Sequence, residues 1–98
     1  MASYAVAANE IGAYAKTAVA ATVDTITFTD AIDQVRVVKD DGAALYITVD
    51  GTAPTVAGAS THELPAGVAC SIVLRTPQGT DAVKVISSGT PVYSVARV

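Results

Sequence analysis

The chain has 98 residues, a length that fits one domain. Its hydrophobic fraction is 51% with only 5% aromatic residues, so the apolar side chains are mostly small. Only 15% of the residues are charged and the net charge is −3, so part of the surface is expected to contact another protein. The six scattered cations argue against a basic patch for nucleic acid, and a single cysteine, Cys70, excludes an intrachain disulfide.

The first segment, residues 1–12, is rich in alanine. Alanine favours helix, and Tyr4 and Ile11 would share one helical face, with Gly12 ending the helix. A helix this short is marginal in water unless it packs on something. We therefore predict an N-terminal arm or short helix, followed by a β-sandwich domain over residues 13–98.

From residue 13 onward the hydrophobic pattern has a period of two, which is typical of β-strands. Glycine, proline and aspartate interrupt it roughly every 8–12 residues. This spacing predicts an all-β fold, an antiparallel β-sandwich or barrel. About eight short strands are expected, at residues 13–19, 23–29, 34–39, 44–50, 61–64, 68–75, 81–87 and 92–98.

Two short links are expected to form hairpins. Residues 20–22 join the first two predicted strands, and Asp40-Asp41-Gly42 joins the next two. Glycine accepts the positive φ that tight hairpin turns need, so Gly42 is expected to adopt it. The longest loop is residues 50–60.

No residue pattern indicates catalysis. His62 is the only histidine, and with Glu63 it could form an acid–base pair or provide one metal ligand. Further ligands at metal-site spacing are missing, so a solvated strand residue is the favoured interpretation. No nucleophile or phosphate-binding motif occurs. We predict no enzyme activity, no cofactor and no metal.

Partner contacts are expected in the N-terminal segment and in the long loop. Tyrosine suits interfaces because it offers a rigid apolar body with a polar tip, although strand tyrosines pack equally well in cores. The candidate contact residues are Tyr4, Ile11, Tyr14, Pro54 and Val56. No secretory signal pattern is present at the N-terminus, and no apolar run is long enough to cross a membrane.

Two segments stand out by their sequence, the loop Thr48-Val49-Asp50-Gly51 with Pro54-Thr55 and the closing stretch Ile86 to Val95. They resemble segments of small structural proteins of tailed phages that infect actinobacteria, and the similarity covers roughly residues 23–98. The resemblance implies a small β-sandwich that coats or cements a capsid, or else a neck or tail component. It carries over no catalytic residues.

The prediction drawn from this resemblance is a capsid decoration protein that binds the major capsid protein and stabilises the virion. It would be made in the host cytoplasm and reside on the capsid surface. We expect a homo-oligomer, with a trimer among the expected forms, and neither nucleic acid nor membrane as a partner. The alternatives are a neck or tail component of the virion and a carbohydrate- or receptor-binding β module, although the chain has no Trp and one Phe for stacking on sugars.

Overall fold

The described part of the chain forms nine β-strands and no helix. The structure is a computed structural model, and it describes residues 2–7, 10–30, 32–59 and 61–98. The strands are β1 Ser3–Val6, β2 Gly12–Thr17, β3 Asp24–Phe28, β4 Gln34–Lys39, β5 Leu45–Thr48, β6 His62–Leu64, β7 Cys70–Arg75, β8 Ala82–Ser87 and β9 Val92–Arg97. All eight predicted strands are present, with boundaries that differ by at most two residues.

The strands form two sheets that pack face to face. The five-stranded sheet has the order β1-β3-β8-β5-β6, and the four-stranded sheet has the order β2-β9-β4-β7. Every pair is antiparallel except β1 with β3. The predicted all-β sandwich is therefore confirmed.

The core lies between the sheets and consists mainly of inward strand residues, with Ala18, Ile32 and Val49 added from the connections. In β4, Val35 and Val37 are fully buried while Arg36 and Val38 are exposed, as the period of two predicts. Most of the buried side chains are small, and removing each from water contributes about 1.5–3 kcal/mol. The core cluster comprises Val6, Ala13, Ala18, Ile26, Phe28, Ile32, Val35, Val37, Leu45, Ile47, Val49, Leu64, Leu74, Val83, Val85, Tyr93 and Val95.

In the described part of the N-terminal segment, Ser3–Val6 is a strand, and the predicted short helix is wrong. Ser3–Val6 pairs in parallel with β3, and Val6 is only 1% exposed. The N–H of Thr29 donates to the carbonyl of Val6 at 3.1 Å, which extends the pairing beyond the strand. Tertiary contacts override the helix preference of alanine here, because pairing with β3 satisfies the backbone of Ser3–Val6 and buries Val6. Met1, Ala8 and Asn9 of the predicted arm lie outside the described residues.

Neither predicted hairpin forms, because both links cross from one sheet to the other. β2 belongs to the four-stranded sheet and β3 to the five-stranded sheet, and β4 and β5 are divided in the same way. Gly42 does not have a positive φ. Its N–H is instead held by the carboxylate of Asp40 at 2.9 Å, which shapes the crossing turn.

A buried lysine fixes this crossing. Lys39 is 1% exposed, and its Nζ donates to the carbonyls of Asp40 at 2.6 Å, Gly42 at 3.3 Å and Val68 at 2.9 Å. The first two carbonyls belong to the β4–β5 link and the third to the β6–β7 turn. The ammonium group therefore joins two connections at one end of the sandwich, and three acceptors offset the cost of its burial.

A second buried polar contact joins the two sheets. The hydroxyl of Tyr93 in β9 donates to Oδ2 of Asp24 in β3 at 2.8 Å, and both residues are almost fully buried. Burial, followed by the hydrogen bond to Asp24 and the charge of that carboxylate, raises the pKa of Tyr93. The phenol therefore remains protonated and continues to donate wherever the protein is folded near neutral pH.

Shortening the buried side chain of β1 tests whether the N-terminal segment belongs to the core. We expect Val6→Ala to lower the free energy of unfolding by about 2 kcal/mol, because it removes buried methyl groups and leaves a cavity. Val19→Ala is the matched control, since Val19 is 57% exposed and should change stability by less than about 0.5 kcal/mol. Urea unfolding followed by circular dichroism measures both, and equal effects would contradict the placement of β1.

Removing the Tyr93 hydroxyl tests the contact between the sheets. Tyr93→Phe leaves the Asp24 carboxylate without its donor and should cost about 1–3 kcal/mol, whereas Tyr14→Phe at an exposed site should cost almost nothing. The folded state holds the Tyr93 proton more tightly than the unfolded chain, in which tyrosine ionises near pH 10.0. Wild-type stability should be intact below that pH and fall as the pH rises above it. Unfolding curves at stepped alkaline pH should show a shallower fall for Tyr93→Phe, and identical slopes would contradict the account.

Candidate docking face

The outward surface of the four-stranded sheet is the feature of this molecule that most resembles a binding site. We call it the docking face, and its residues follow from the period of two and the strand register. They are Thr17 and Tyr14 of β2, Val92, Ser94 and Ala96 of β9, Gln34, Arg36 and Val38 of β4, and Ser71, Val73 and Arg75 of β7.

Large apolar side chains are exposed on this face. Tyr14 is 53% exposed, Val38 42%, Val73 47% and Val92 37%. Ile11 and Val98 adjoin the face at strand ends, and the backbone N–H of Arg97 donates to the carbonyl of Ile11 at 2.9 Å. Apolar side chains that stay this exposed after folding are unusual when they are grouped on one sheet, and such a group indicates a contact surface.

The charge on the docking face is of one sign. Arg36 and Arg75 are its charged residues, and no strand residue of the face carries a carboxylate. The chain as a whole has nine acidic and six basic residues, so the docking face is positively charged although the net charge of the chain is negative. Arginine forms bidentate hydrogen bonds with carboxylates, and the face therefore suits a partner that combines apolar and acidic groups.

A bulge shapes the β2 side of the docking face. The pairing register with β9 shifts between Ala13 and Lys16, and Ala15 adopts a φ of 53°. The N–H of Ala15 donates to the hydroxyl of Ser94 at 3.1 Å, which fixes the bulge against the next strand. Tyr14 projects from this bulged segment, because a bulge redirects the side chains of the residues that form it.

The outward surface of the five-stranded sheet is different in character. Its exposed or half-buried residues near β1 and β3 are small or hydroxylated, namely Ser3, Ala5, Thr25, Thr27 and Ala82. Lys84 is tied down, since its Nζ donates to the carbonyl of Gly51 at 3.1 Å. Burial and the neighbouring Glu63 carboxylate raise the pKa of Tyr46 on this surface. No strand residue described on it is an exposed large hydrophobic residue.

The structure brings together three of the predicted contact residues. Tyr4 and Tyr14 line one depression of about 410 Å³ between β1 and β2, and Ile11, 62% exposed, directly precedes β2. Tyr4 is half-buried against the core, and the Nζ of Lys16 lies 4.7 Å from its ring centre in a cation–π contact. Tyr4 therefore contributes to the β1–β2 side of the molecule, next to the docking face.

The other two predicted contact residues lie elsewhere. Pro54 and Val56 belong to the β5–β6 loop, and β6 is at the opposite edge of the five-stranded sheet from β1. Pro54 is buried, while Val56 is 40% exposed. Only Val56 of this pair offers an apolar side chain to a partner.

His62 lines an open cleft of about 390 Å³ at one end of the sandwich, together with Asp50, Arg75 and Thr76. Hydrogen bonds from the hydroxyl and N–H of Thr52 lower the pKa of Asp50, with a smaller contribution from His62. The described residues include no group of three or more His, Cys, Asp or Glu arranged to hold a metal ion. The cleft is lined by one acidic and one basic side chain, Asp50 and Arg75, and by no Phe, Tyr or Trp.

Sequence reasoning missed the valines of the docking face. A signal was present, since Val37-Val38 and Ile72-Val73-Leu74 place apolar residues on both faces of their strands. In a sandwich strand covered on one side only, the outward positions should be polar. Where the alternation of apolar and polar residues along such a strand is interrupted by neighbouring apolar residues, one of them must point outward.

Comparison with protein-family models, with curated proteins and with solved structures found no significant match. In the described part of the chain, no helix is long and apolar enough to cross a membrane.

Replacing exposed valines by threonine tests whether the docking face serves folding. Val38→Thr and Val73→Thr should each change the free energy of unfolding by less than about 0.5 kcal/mol, because these side chains lie on the outer surface and a threonine hydroxyl there can reach water. Val37→Thr is the matched control on the inner face of the same strand, and burying its hydroxyl should cost about 1–3 kcal/mol. Urea unfolding compares the three variants. A large loss for Val38→Thr would show that the face is structural.

Proposed function

We propose that this protein is a capsid decoration protein of a tailed phage and attaches to the shell through the docking face. The observation that carries the proposal is the concentration of exposed Tyr14, Val38, Val73 and Val92 on one sheet that has arginines and no strand carboxylate. The resemblance to small actinobacteriophage virion proteins supplies the biological setting.

A decoration protein has to bury apolar surface against a shell that presents the same site many times, and it needs no deep pocket for this. Val38 of β4 lies opposite Ser71 of β7, and Val73 of β7 lies opposite Arg36 of β4. The two valines are therefore diagonal neighbours on adjacent strands, and they form the apolar centre of the face. Arginine and tyrosine are the residues that most often dominate interface energies, and Arg36, Arg75 and Tyr14 surround this centre.

The proposed partner is the major capsid protein, and the proposed location is the virion surface. A partner patch with apolar and acidic groups would match both the valines and the arginines of the face. A neck or tail position uses the same kind of contact at far fewer places on the particle. Copy number per particle therefore separates the two positions.

Quantitative mass spectrometry of purified particles, scaled to the major capsid protein, tests the proposal. Particles would be assembled with the wild-type chain, with Val38→Asp or with Thr27→Asp. We expect wild-type copies near the number of capsid protein copies or a simple fraction of it. Val38→Asp should reduce the occupancy about tenfold or more, because docking would bury a carboxylate without a partner.

Thr27→Asp is the matched control, since Thr27 is an exposed strand residue on the outward surface of the other sheet. It should attach as the wild type does. Only enough copies for a single ring would assign the protein to the neck or tail, and absence from particles would overturn the virion proposal. Equal loss with both variants would mean that the docking face is not the attachment surface.

A further inference from the structure

The strand β7 is an edge strand, and among the described residues it has neither the short length nor the bulge that protects the other edges. The other three edges of the sandwich are blunted: β1 has four residues, β6 has three, and β2 contains a bulge. By contrast, β7 pairs with β4 in unbroken register over all six residues, Cys70–Arg75, and contains neither proline nor glycine. Natural proteins seldom leave a long flat edge open, because its free backbone groups can pair with another strand.

The free backbone groups of β7 can be assigned from its pairing with β4. The N–H of Thr76 donates to the carbonyl of Asp33 at 2.9 Å, one position beyond the pair formed by Gln34 and Arg75. Hydrogen-bonded and non-hydrogen-bonded pairs alternate along an antiparallel ladder. Leu74, Ile72 and Cys70 therefore bond to β4 as Thr76 does. The N–H and C=O groups of Ser71, Val73 and Arg75 point away from the sheet.

We infer that a second copy of this chain pairs with β7 through these groups, in antiparallel orientation about a two-fold axis at Val73. In this register Val73 lies opposite Val73 of the second copy, and Ser71 lies opposite Arg75 of the second copy. Each opposed pair exchanges two backbone hydrogen bonds, since its residues all have their polar groups on the free edge. The two four-stranded sheets become one continuous sheet.

The side chains of β7 favour a second copy as the occupant. Directly opposed residues in an antiparallel pair point to the same side of the sheet, and Ser71, Val73 and Arg75 are all outward and exposed. The two-fold register brings valine against valine and a hydroxyl against a guanidinium, so that no like charges are opposed. A shift by one residue would place outward residues opposite inward ones and would lose the match of donors and acceptors.

The contact is isologous, which means that both copies use the same surface. The assembly therefore stops at two copies, and both β7 edges are paired. It also makes the docking faces of the two copies continuous, because Val73 and Arg36 lie in one cross-strand row of each sheet. The inference goes beyond the proposed function, since the pairing does not depend on which partner the docking face binds.

Sedimentation equilibrium of the full chain over a concentration series up to about 1 mM tests the inference. The wild-type chain should show a concentration-dependent dimer. Val73→Lys should raise the dissociation constant about tenfold or more, because it places two ammonium groups opposite each other at the axis. Val73→Glu should do the same with two carboxylates. An equimolar mixture of these two variants should form dimers again, since opposite charges would then meet.

Val38→Lys is the matched control, because it adds the same charge to the same face but one strand away from the axis. It should dimerise about as well as the wild type, and circular dichroism melting should show that all the variants are folded. A wild-type chain that is monomeric over the whole series would overturn the inference, as would a trimer. It would also fail if Val73→Lys dimerised normally or if the mixture of variants stayed monomeric.

Discussion

The thin apolar layer between the two sheets is the constraint on which the rest of the structure depends. With 5% aromatic residues, the chain fills that layer mainly with valine, isoleucine and leucine, and each of the nine described strands contributes at least one side chain to it. This requirement recruits even the N-terminal segment, whose Val6 is buried in the layer. Two buried polar contacts add to the apolar packing. The Tyr93 hydroxyl bonds to Asp24 between the sheets, and the Lys39 ammonium joins two connections at one end of the sandwich.

Because the inner faces are already filled, the apolar residues that point outward have no role in the core. They collect on the four-stranded sheet, whereas the strand residues on the outward surface of the five-stranded sheet include no exposed large hydrophobic residue. The outward surfaces of the two sheets therefore differ. The four-stranded sheet carries the docking face, and the five-stranded sheet carries a surface rich in hydroxyl groups and alanine. The unprotected edge of β7 belongs to the same sheet as the docking face. Attachment and pairing would therefore use adjoining parts of one surface.

The positions of the strands could be predicted from the sequence, since the period of two and the turn residues depend on neighbours in the chain. The partners of the strands could not. The links after β2 and β4 are short enough for hairpins, and their crossing between sheets depends on contacts such as that of Lys39 with Val68, 29 residues away. Tyr14 and Ile11 were predicted as contact residues, but the valines of β4 and β7 were missed because their grouping requires the sheet order. The placement of Pro54 in a buried position also depends on packing that no local pattern records.

The central claim is that the outward surface of the four-stranded sheet is the surface that attaches to the capsid. A cryo-electron microscopy map of the particle, at a resolution that separates β-strands, tests it most directly. The account predicts density for this domain outside the shell, with Val38, Val73 and Tyr14 against the capsid protein and with Thr27 facing solvent. Density in which the five-stranded sheet contacts the shell, or in which the docking face is fully exposed, would contradict it.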